Sequence, residues 1–115
     1  MSELQISSTE SGDVTLLVLQ GRVTMGDGDL TLRTTIKDLV VKGRKKIVID
    51  MKGVPYMDST GLGELVAGYT SAKRANAEIR LANLTHKIQD MMGVVQLLSL
   101  FETFPSTDEA VKSFA

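Results

Sequence analysis

Residues 46–75 decide the fold, and they read KIVIDMKGVPYMDSTGLGELVAGYTSAKRA. The stretch opens with the apolar run Ile47–Ile49, which predicts a β-strand that ends on Asp50. Segment 51–57 contains a glycine and a proline and predicts a loop. The next segment predicts an amphipathic helix, because its apolar residues fall at i, i+3, i+4 and i+7: Leu62, Leu65, Val66 and Tyr69.

The start of this predicted helix combines a carboxylate with two hydroxyls. Asp58, Ser59 and Thr60 are all residue types that cap helix N-termini, and they lie directly before the apolar stripe. A helix start offers unpaired backbone N–H groups and the positive end of the helix dipole. We therefore expect a phosphate on one of these hydroxyls to be electrostatically tolerated.

Length and composition indicate one small domain, residues 1–115, with an aliphatic core. Hydrophobic residues make up 43% of the chain, and there are only three Phe, two Tyr and no Trp. The 13 basic and 14 acidic residues leave a net charge of −1, which gives no support for direct nucleic-acid binding. The chain has no Cys, no secretory signal and no apolar run near the roughly 20 residues that span a bilayer. We expect a cytoplasmic protein without membrane contact.

The first half of the chain predicts two strands and a helix. Segment 4–8 predicts a short edge strand, and 10–13 a turn. Val14–Gln20 is apolar at nearly every position, which predicts a central strand covered on both faces. After a glycine-containing loop at 25–29, an apolar helix face is marked by Leu32, Ile36, Leu39 and Val40. Asp27 or Asp29 is expected to cap this helix, and Gly43 to end it.

The second half predicts a βαβ unit followed by shorter elements. Strand 46–50, helix 59–75 and strand 78–82 form that unit, so the two strands should be parallel. Segment 83–93 predicts a shorter helix. Segment 94–100 is apolar enough for helix or strand, and one or two further helical turns are favoured. An extended piece at 101–104 ends at Pro105, and Ser106 or Thr107 is expected to cap a last helix.

The sequence offers no convincing catalytic or metal-binding constellation. His86 is the only histidine, and an exposed surface position at a helix start is expected for it. Neither glycine cluster, at 26–28 or 60–63, has the spacing of a nucleotide-binding loop. We therefore predict that the protein is not an enzyme and uses no metal or cofactor. The basic cluster at Lys42 and 44–46 is interpreted as a solvated helix end, with a phosphate- or nucleic-acid-binding patch as the less favoured alternative.

Two interpretations of the hydroxyl pair remain open from the residues alone. Ser59 can be a simple N-cap, or it can be a site of modification. The helix that follows carries small residues on one face: Thr60, Gly63, Ala67, Gly68 and Ser71. Because an interior helix glycine costs about 1 kcal/mol relative to alanine, close approach of a partner is one explanation. Close packing within the domain is the other.

At these residues the sequence resembles the anti-sigma factor antagonists, or anti-anti-sigma factors, of the STAS domain family. The resemblance rests on Asp50 and on the run from Val54 to Gly63, with support from Gly21 and Arg22. It covers the whole chain. It implies a single STAS domain of the α/β class: a mixed sheet of four or five strands with about four helices packed against it.

The resemblance also implies a partner-switching function. The unphosphorylated protein would bind an anti-sigma factor with serine kinase activity and so release a sigma factor. Phosphorylation of Ser59 would switch it off, and a serine phosphatase would restore it. The residues expected to contact the partner surround that serine: Asp58, Ser59, Thr60, Gly61, Gly63, Glu64 and Ala67.

Three further expectations accompany this resemblance. The loop 25–29 departs from the family's usual sequence there, which leaves its partner contacts open. The alternative function is a non-catalytic STAS scaffold or sensing module that takes a small-molecule or nucleotide ligand. A monomer or a weak dimer is expected.

Overall fold

The computed structural model describes residues 4–24, 27–94 and 98–115. Five strands form one sheet in the order β1-β2-β3-β4-β5. The β1–β2 pair is antiparallel, and the other three pairs are parallel. The strands are β1 (Leu4–Ser11), β2 (Val14–Gly21), β3 (Lys46–Gly53), β4 (Glu78–Ala82) and β5 (Glu102–Phe104).

In the described ranges, four α-helices and one 3-10 turn accompany these strands, and the last helix follows β5. The helices are α1 (Asp27–Val41), α2 (Ser59–Arg74), α3 (His86–Val94) and α4 (Thr107–Lys112), and the 3-10 turn is Leu98–Leu100. The predicted mixed sheet with about four helices is thus confirmed, as is the parallel pairing of the two strands that flank α2.

The central strand β3 shows how the sheet divides two cores. Ile47, Ile49 and Met51 belong to the large aliphatic core that α1, α2 and α3 cover, whereas Val48 points to the opposite face. This alternation follows from the two-residue period of a strand. The short helix α4 covers the opposite face, where Ala110 packs with Val14, Val48 and Ala82.

Several predicted boundaries are wrong, and burial and pairing explain why. Strand β3 continues through residue 53, because Met51 is buried in the core and Gly53 pairs with Gln20 of β2. Strand β1 extends to residue 11 and pairs with β2 along its whole length. Residues 27–29, which were predicted as loop, lie in the first turn of α1. Residues 25–26 lie outside the described part.

Helix α3 begins at His86, three residues later than predicted. Asn83 has a positive φ of 58°, which does not fit a helix, and the Thr85 hydroxyl accepts a bond from the Ile88 N–H at 3.3 Å. The prediction of further helix over 94–100 falls partly on residues 95–97, outside the described part, and ends in the 3-10 turn. Ser106 caps α4, as one of the two predicted options.

The basic cluster after α1 is engaged within the domain. Gly43 ends α1 in a left-handed conformation, as predicted, with φ of 82°. Arg44 Nε donates to the buried Thr15 hydroxyl at 2.7 Å, Lys46 Nζ pairs with Asp13 at 2.7 Å, and Lys45 Nζ donates to the Ala75 carbonyl. These contacts favour a structural role for the cluster over an anion-binding one.

Candidate functional site

The N-terminus of α2 is capped by Asp58. Asp58 has an extended backbone, with φ of −92° and ψ of −179°, and its Oδ1 accepts a hydrogen bond from the Gly61 N–H at 2.7 Å. Capping by a short acidic side chain satisfies one of the unpaired N–H groups and places negative charge at the positive end of the helix dipole. The expected N-cap chemistry is therefore present, and the aspartate supplies it.

Ser59 is the first residue of α2, and its side chain is exposed. Within the described part of the chain, the hydroxyls of Ser59 and Thr60 take part in no hydrogen bond. The alternative in which Ser59 merely caps the helix is therefore wrong, because Asp58 already occupies that role. An exposed hydroxyl without a structural task stands at the start of a 16-residue helix.

The loop before Ser59 is held by the connection between β2 and α1. The Val23 N–H donates to the Tyr56 carbonyl at 3.1 Å, and the Asp58 N–H donates to the Val23 carbonyl at 3.2 Å. Val23 and Met57 also form an isolated parallel bridge, and both are fully buried. The position of Ser59 is thus set by a segment more than 30 residues earlier in the chain.

Gly61 allows this contact to form. A Cβ at residue 61 would lie 2.0 Å from the Val23 carbonyl oxygen, so no larger side chain fits without movement of the backbone. Gly61 is buried, although the sequence placed it among the partner-contacting residues. Packing inside the domain therefore explains why residue 61 is a glycine.

The other two glycines of α2 lie in contrasting surroundings. Gly68 was predicted to lie on an outer, bare face of the helix, but it is buried, and a Cβ there would lie 2.7 Å from Ile36 Cδ1 of α1. Gly63 is exposed, and a Cβ there would meet nothing within 4 Å. Internal packing therefore explains Gly61 and Gly68 and leaves Gly63 without a structural reason.

The predicted partner-contacting residues divide by exposure. Three are exposed at four-residue spacing along one line of α2: Ser59, Gly63 and Ala67. Asp58, Thr60 and Glu64 are half-buried. Glu64 pairs with Arg33 of α1 at 3.5 Å between Oε2 and Nε, and that oxygen is buried, so Glu64 is engaged between the helices.

Three residues near Ser59 are not among the predicted site residues: Val23, Tyr56 and Lys87. Tyr56, 37% exposed, lies three residues before Ser59, and the Lys87 ammonium stands 5.1 Å from the centre of its ring. Val23 lies beneath the loop. No local pattern marks these residues, because each contact joins segments about 30 residues apart.

Around Ser59 the site is an exposed surface at the start of α2. Over residues 4–24, 27–94 and 98–115, no group of three or more His, Cys, Asp or Glu side chains is placed to hold a metal ion. His86 is exposed at the start of α3, as predicted. Among the helices of those same ranges, none has the length and apolar character that crossing a membrane requires.

The chain belongs to the STAS domain family, whose sequence model matches residues 5–110. It is 22% identical over 102 residues to the anti-sigma F factor antagonist of Paenibacillus polymyxa, covering 86% of this chain and 87% of that protein.

Solved structures agree on the fold. An anti-sigma factor antagonist from Mycobacterium paratuberculosis superposes with a TM-score of 0.84 at 19% identity, over 96% of this chain and 92% of that one. The Bacillus cell fate determinant SpoIIAA in its phosphorylated form superposes with a TM-score of 0.74 at 15% identity, over 97% and 99% of the two chains.

Proposed function

We propose that this protein is an anti-sigma factor antagonist that is switched by phosphorylation of Ser59. The observation that carries the proposal is the exposed Ser59 hydroxyl, which has no hydrogen bond in the described structure because Asp58 caps the helix instead. The anti-sigma F factor antagonist among its relatives supports the regulatory class. A phosphorylated form has been solved for one protein of this fold.

The position of Ser59 suits a phosphate. A phosphoserine carries about −1.5 to −2 charges at neutral pH, and the first turn of α2 provides unpaired N–H groups and a positive dipole end. The described first turn holds no acidic side chain besides the capping Asp58. The domain can therefore accept the modification without unfolding.

In this proposal the unmodified protein binds an anti-sigma factor that has serine kinase activity, and the sigma factor is released. The contact centres on Ser59 and continues along the exposed line through Gly63 and Ala67, where small residues allow a partner's backbone to approach. A phosphate at the centre of that contact introduces unpaired charge. Weakening the complex a hundredfold requires about 2.8 kcal/mol, which one desolvated charge can supply.

The remaining components follow from this cycle. A serine phosphatase removes the phosphate and restores binding. The protein acts by occupying its partner in the cytoplasm, with no catalytic step of its own and no direct contact with nucleic acid. The domain acts as a single STAS unit.

The site is tested by peptide mass spectrometry of the protein purified from the cells that make it. A phosphate on Ser59 is expected. A phosphate confined to Thr60 would move the switch by one residue and contradict the assignment. No phosphate under any growth condition would contradict the switch itself and favour a non-catalytic scaffold or sensing module.

The effect on binding is tested with two substitutions of the same residue. Ser59→Ala should bind the anti-sigma factor of the same organism as tightly as the natural chain, because the hydroxyl has no structural task. Ser59→Asp should bind about a hundredfold more weakly, since it places a permanent charge in the contact. Calorimetry measures both dissociation constants.

Thr70→Asp is the matched control, because Thr70 is exposed on the same helix about 16 Å farther along its axis. This variant should keep nearly full affinity. Equal affinity of Ser59→Ala and Ser59→Asp would contradict the proposed switch, and an equal loss in Thr70→Asp would show that added charge alone weakens binding.

A further inference from the structure

A groove runs between α1 and α2 on the surface of the domain, with a volume of about 340 Å³. We call it the α1–α2 groove. Five residues of α1 line it, at i, i+3, i+4, i+7 and i+8: Arg33, Ile36, Lys37, Val40 and Val41. This spacing is that of one complete helical face, which extends about 12 Å along the helix axis.

The groove has an apolar floor that is open to solvent. Ile36 is buried at its base, Val40 is half-buried, and Val41 is 78% exposed. Among the large hydrophobic residues that the structure describes, Val41 has the highest exposure. The floor therefore offers aliphatic contact area to another molecule, centred on Val41 and Val40.

Helix α2 leaves the groove open because its lining residues are small. Ala67 and Ser71 are exposed, and Gly68 packs directly onto Ile36. Packing explains Gly68, which brings the two helices together at the base. It does not explain the small size of Ala67 and Ser71, which lie above the base and border open space.

The groove carries positive charge. Among the lining residues that the structure describes, the charged ones are Arg33 and Lys37, and none carries a carboxylate. At one end of the groove, Arg33 forms an ion pair with Glu64, at 3.5 Å between Nε and Oε2. Lys37 has no ion pair or hydrogen bond in the described part of the chain. The two cations therefore flank the apolar floor, and Lys37 has no oppositely charged partner in the described part of the chain.

From this combination we infer that the α1–α2 groove docks an acidic amphipathic helix of a protein partner. Aliphatic side chains of that helix pack on Ile36, Val40 and Val41, and its carboxylates pair with Arg33 and Lys37. A helix laid into a groove between two helices is a recurrent mode of peptide recognition. The inference goes beyond the switch at Ser59. Ala67 ends the exposed line that begins at Ser59, about 12 Å away, and the groove continues from Ala67 onto α1.

Two other occupants fit less well. A small-molecule site usually holds a few precisely placed polar groups, whereas the described polar lining of this groove is two long cations and the Ser71 hydroxyl. A second copy of the chain docked groove to groove would bring together two surfaces whose described charged residues are all cations, and like charges across an interface are repulsive.

The probe is a fluorescein-labelled synthetic peptide of about 16 residues, long enough for appreciable helix content, with Leu at i, i+3, i+4 and i+7 and Glu on its flanks. A second peptide has Lys in place of every Glu. Fluorescence anisotropy measures binding to the full chain. The acidic peptide should bind, and the basic peptide should bind at least about tenfold more weakly.

Two pairs of variants locate the binding. Ala67→Gln should weaken the acidic peptide at least about tenfold by filling the groove, whereas Thr70→Gln, exposed on the same helix outside the groove, should not. Lys37→Glu should weaken it by a similar factor, whereas Lys112→Glu on α4 should not.

Several outcomes would overturn the inference. One is equal binding of both peptides, and another is equal loss in Ala67→Gln and Thr70→Gln. A concentration-dependent dimer abolished by Ala67→Gln would assign the groove to a second copy. Absence of peptide binding, together with Lys37-dependent binding to phosphatidylglycerol vesicles, would assign it to a lipid surface. Circular dichroism of each variant confirms folding.

Discussion

At the residue scale, Asp58 and Ser59 are adjacent and have different surroundings. The Asp58 carboxylate is turned into the helix start and accepts the Gly61 N–H at 2.7 Å. The Ser59 hydroxyl is exposed and unbonded in the described structure. The capping residue, Asp58, and the proposed phosphorylation site, Ser59, are therefore neighbours. Ser59 can be substituted without loss of the cap.

The cap can be tested by substitution of Asp58. Asp58→Ala should lower the free energy of unfolding by about 1 kcal/mol, because the Gly61 N–H loses its acceptor. Asp58→Asn keeps an acceptor oxygen at the same place and should recover most of that loss. Urea unfolding followed by circular dichroism measures both. An equal loss in the two variants would show that the charge, and not the hydrogen bond, stabilises the helix start.

At the element scale, α2 is pressed against two other parts of the chain. Its first turn contacts the β2–α1 connection at Val23, and its middle contacts α1 at Ile36. Each contact occurs at a glycine: at Gly61 a Cβ would meet the Val23 backbone, and at Gly68 it would meet the Ile36 side chain. The placement of Ser59 depends on the first contact, and the base of the α1–α2 groove depends on the second.

Alanine substitutions at Gly61 and Gly63 should have opposite effects on stability. Gly61→Ala forces a Cβ against the Val23 carbonyl and should lower the free energy of unfolding by about 1–3 kcal/mol or more. Gly63→Ala meets open space and should raise it by up to about 1 kcal/mol through helix propensity. Urea midpoints with unchanged m-values provide the comparison. A destabilised Gly63→Ala would show that the space around Gly63 is occupied.

The elements themselves were largely predictable from the sequence, and their ends were less so. The apolar stripe from Leu62 to Tyr69 identified α2, and the run Ile47–Ile49 identified β3. The end of β3 was missed because residues 51–53 look like a loop locally, yet Gly53 pairs with Gln20 of a distant strand. Pairing across the sheet extends a strand beyond what its own propensities indicate.

At the scale of the whole molecule, the ion pair between Lys73 and Glu78 joins the last turn of α2 to the start of β4. Lys73 Nζ and Glu78 Oε1 are 3.2 Å apart, and both side chains are close to half-exposed. The hydrogen bond from Lys73 is the largest influence that lowers the pKa of Glu78 below its usual value of 4.5. The same bond raises the pKa of Lys73.

This pair predicts the pH dependence of stability. A carboxyl group with a lowered folded-state pKa stabilises the fold above its unfolded value of 4.5, and the contribution is lost as the pH falls through the folded-state value. Glu78→Gln should therefore narrow the difference in stability between pH 7 and pH 3, as measured by urea midpoints. The effect should be small and should shrink further in 1 M salt, because the pair is exposed and screened.

A double substitution separates the pair from other acidic groups. In the Glu78→Gln background, Lys73→Gln should cause little further change, because its partner is already neutral. An additive loss would show that the two side chains stabilise the fold independently. Arg80 also forms an ion pair with Glu78, at 3.0 Å between Nη2 and Oε2, and it remains in place in both backgrounds.

The sequence by itself determined the order and type of nearly every element and pointed to the turn that carries Ser59. Those signals are local, since helix and strand periods and capping residues act over a few neighbouring positions. Only the tertiary structure distinguished Gly61, which packs against the Val23 backbone, and Gly68, which packs against the Ile36 side chain, from Gly63, which is open. Only the tertiary structure also showed that Glu64 pairs with Arg33 and that Val41 lines an open groove. These outcomes depend on contacts between segments about 30 residues apart, and no local pattern records which segments meet.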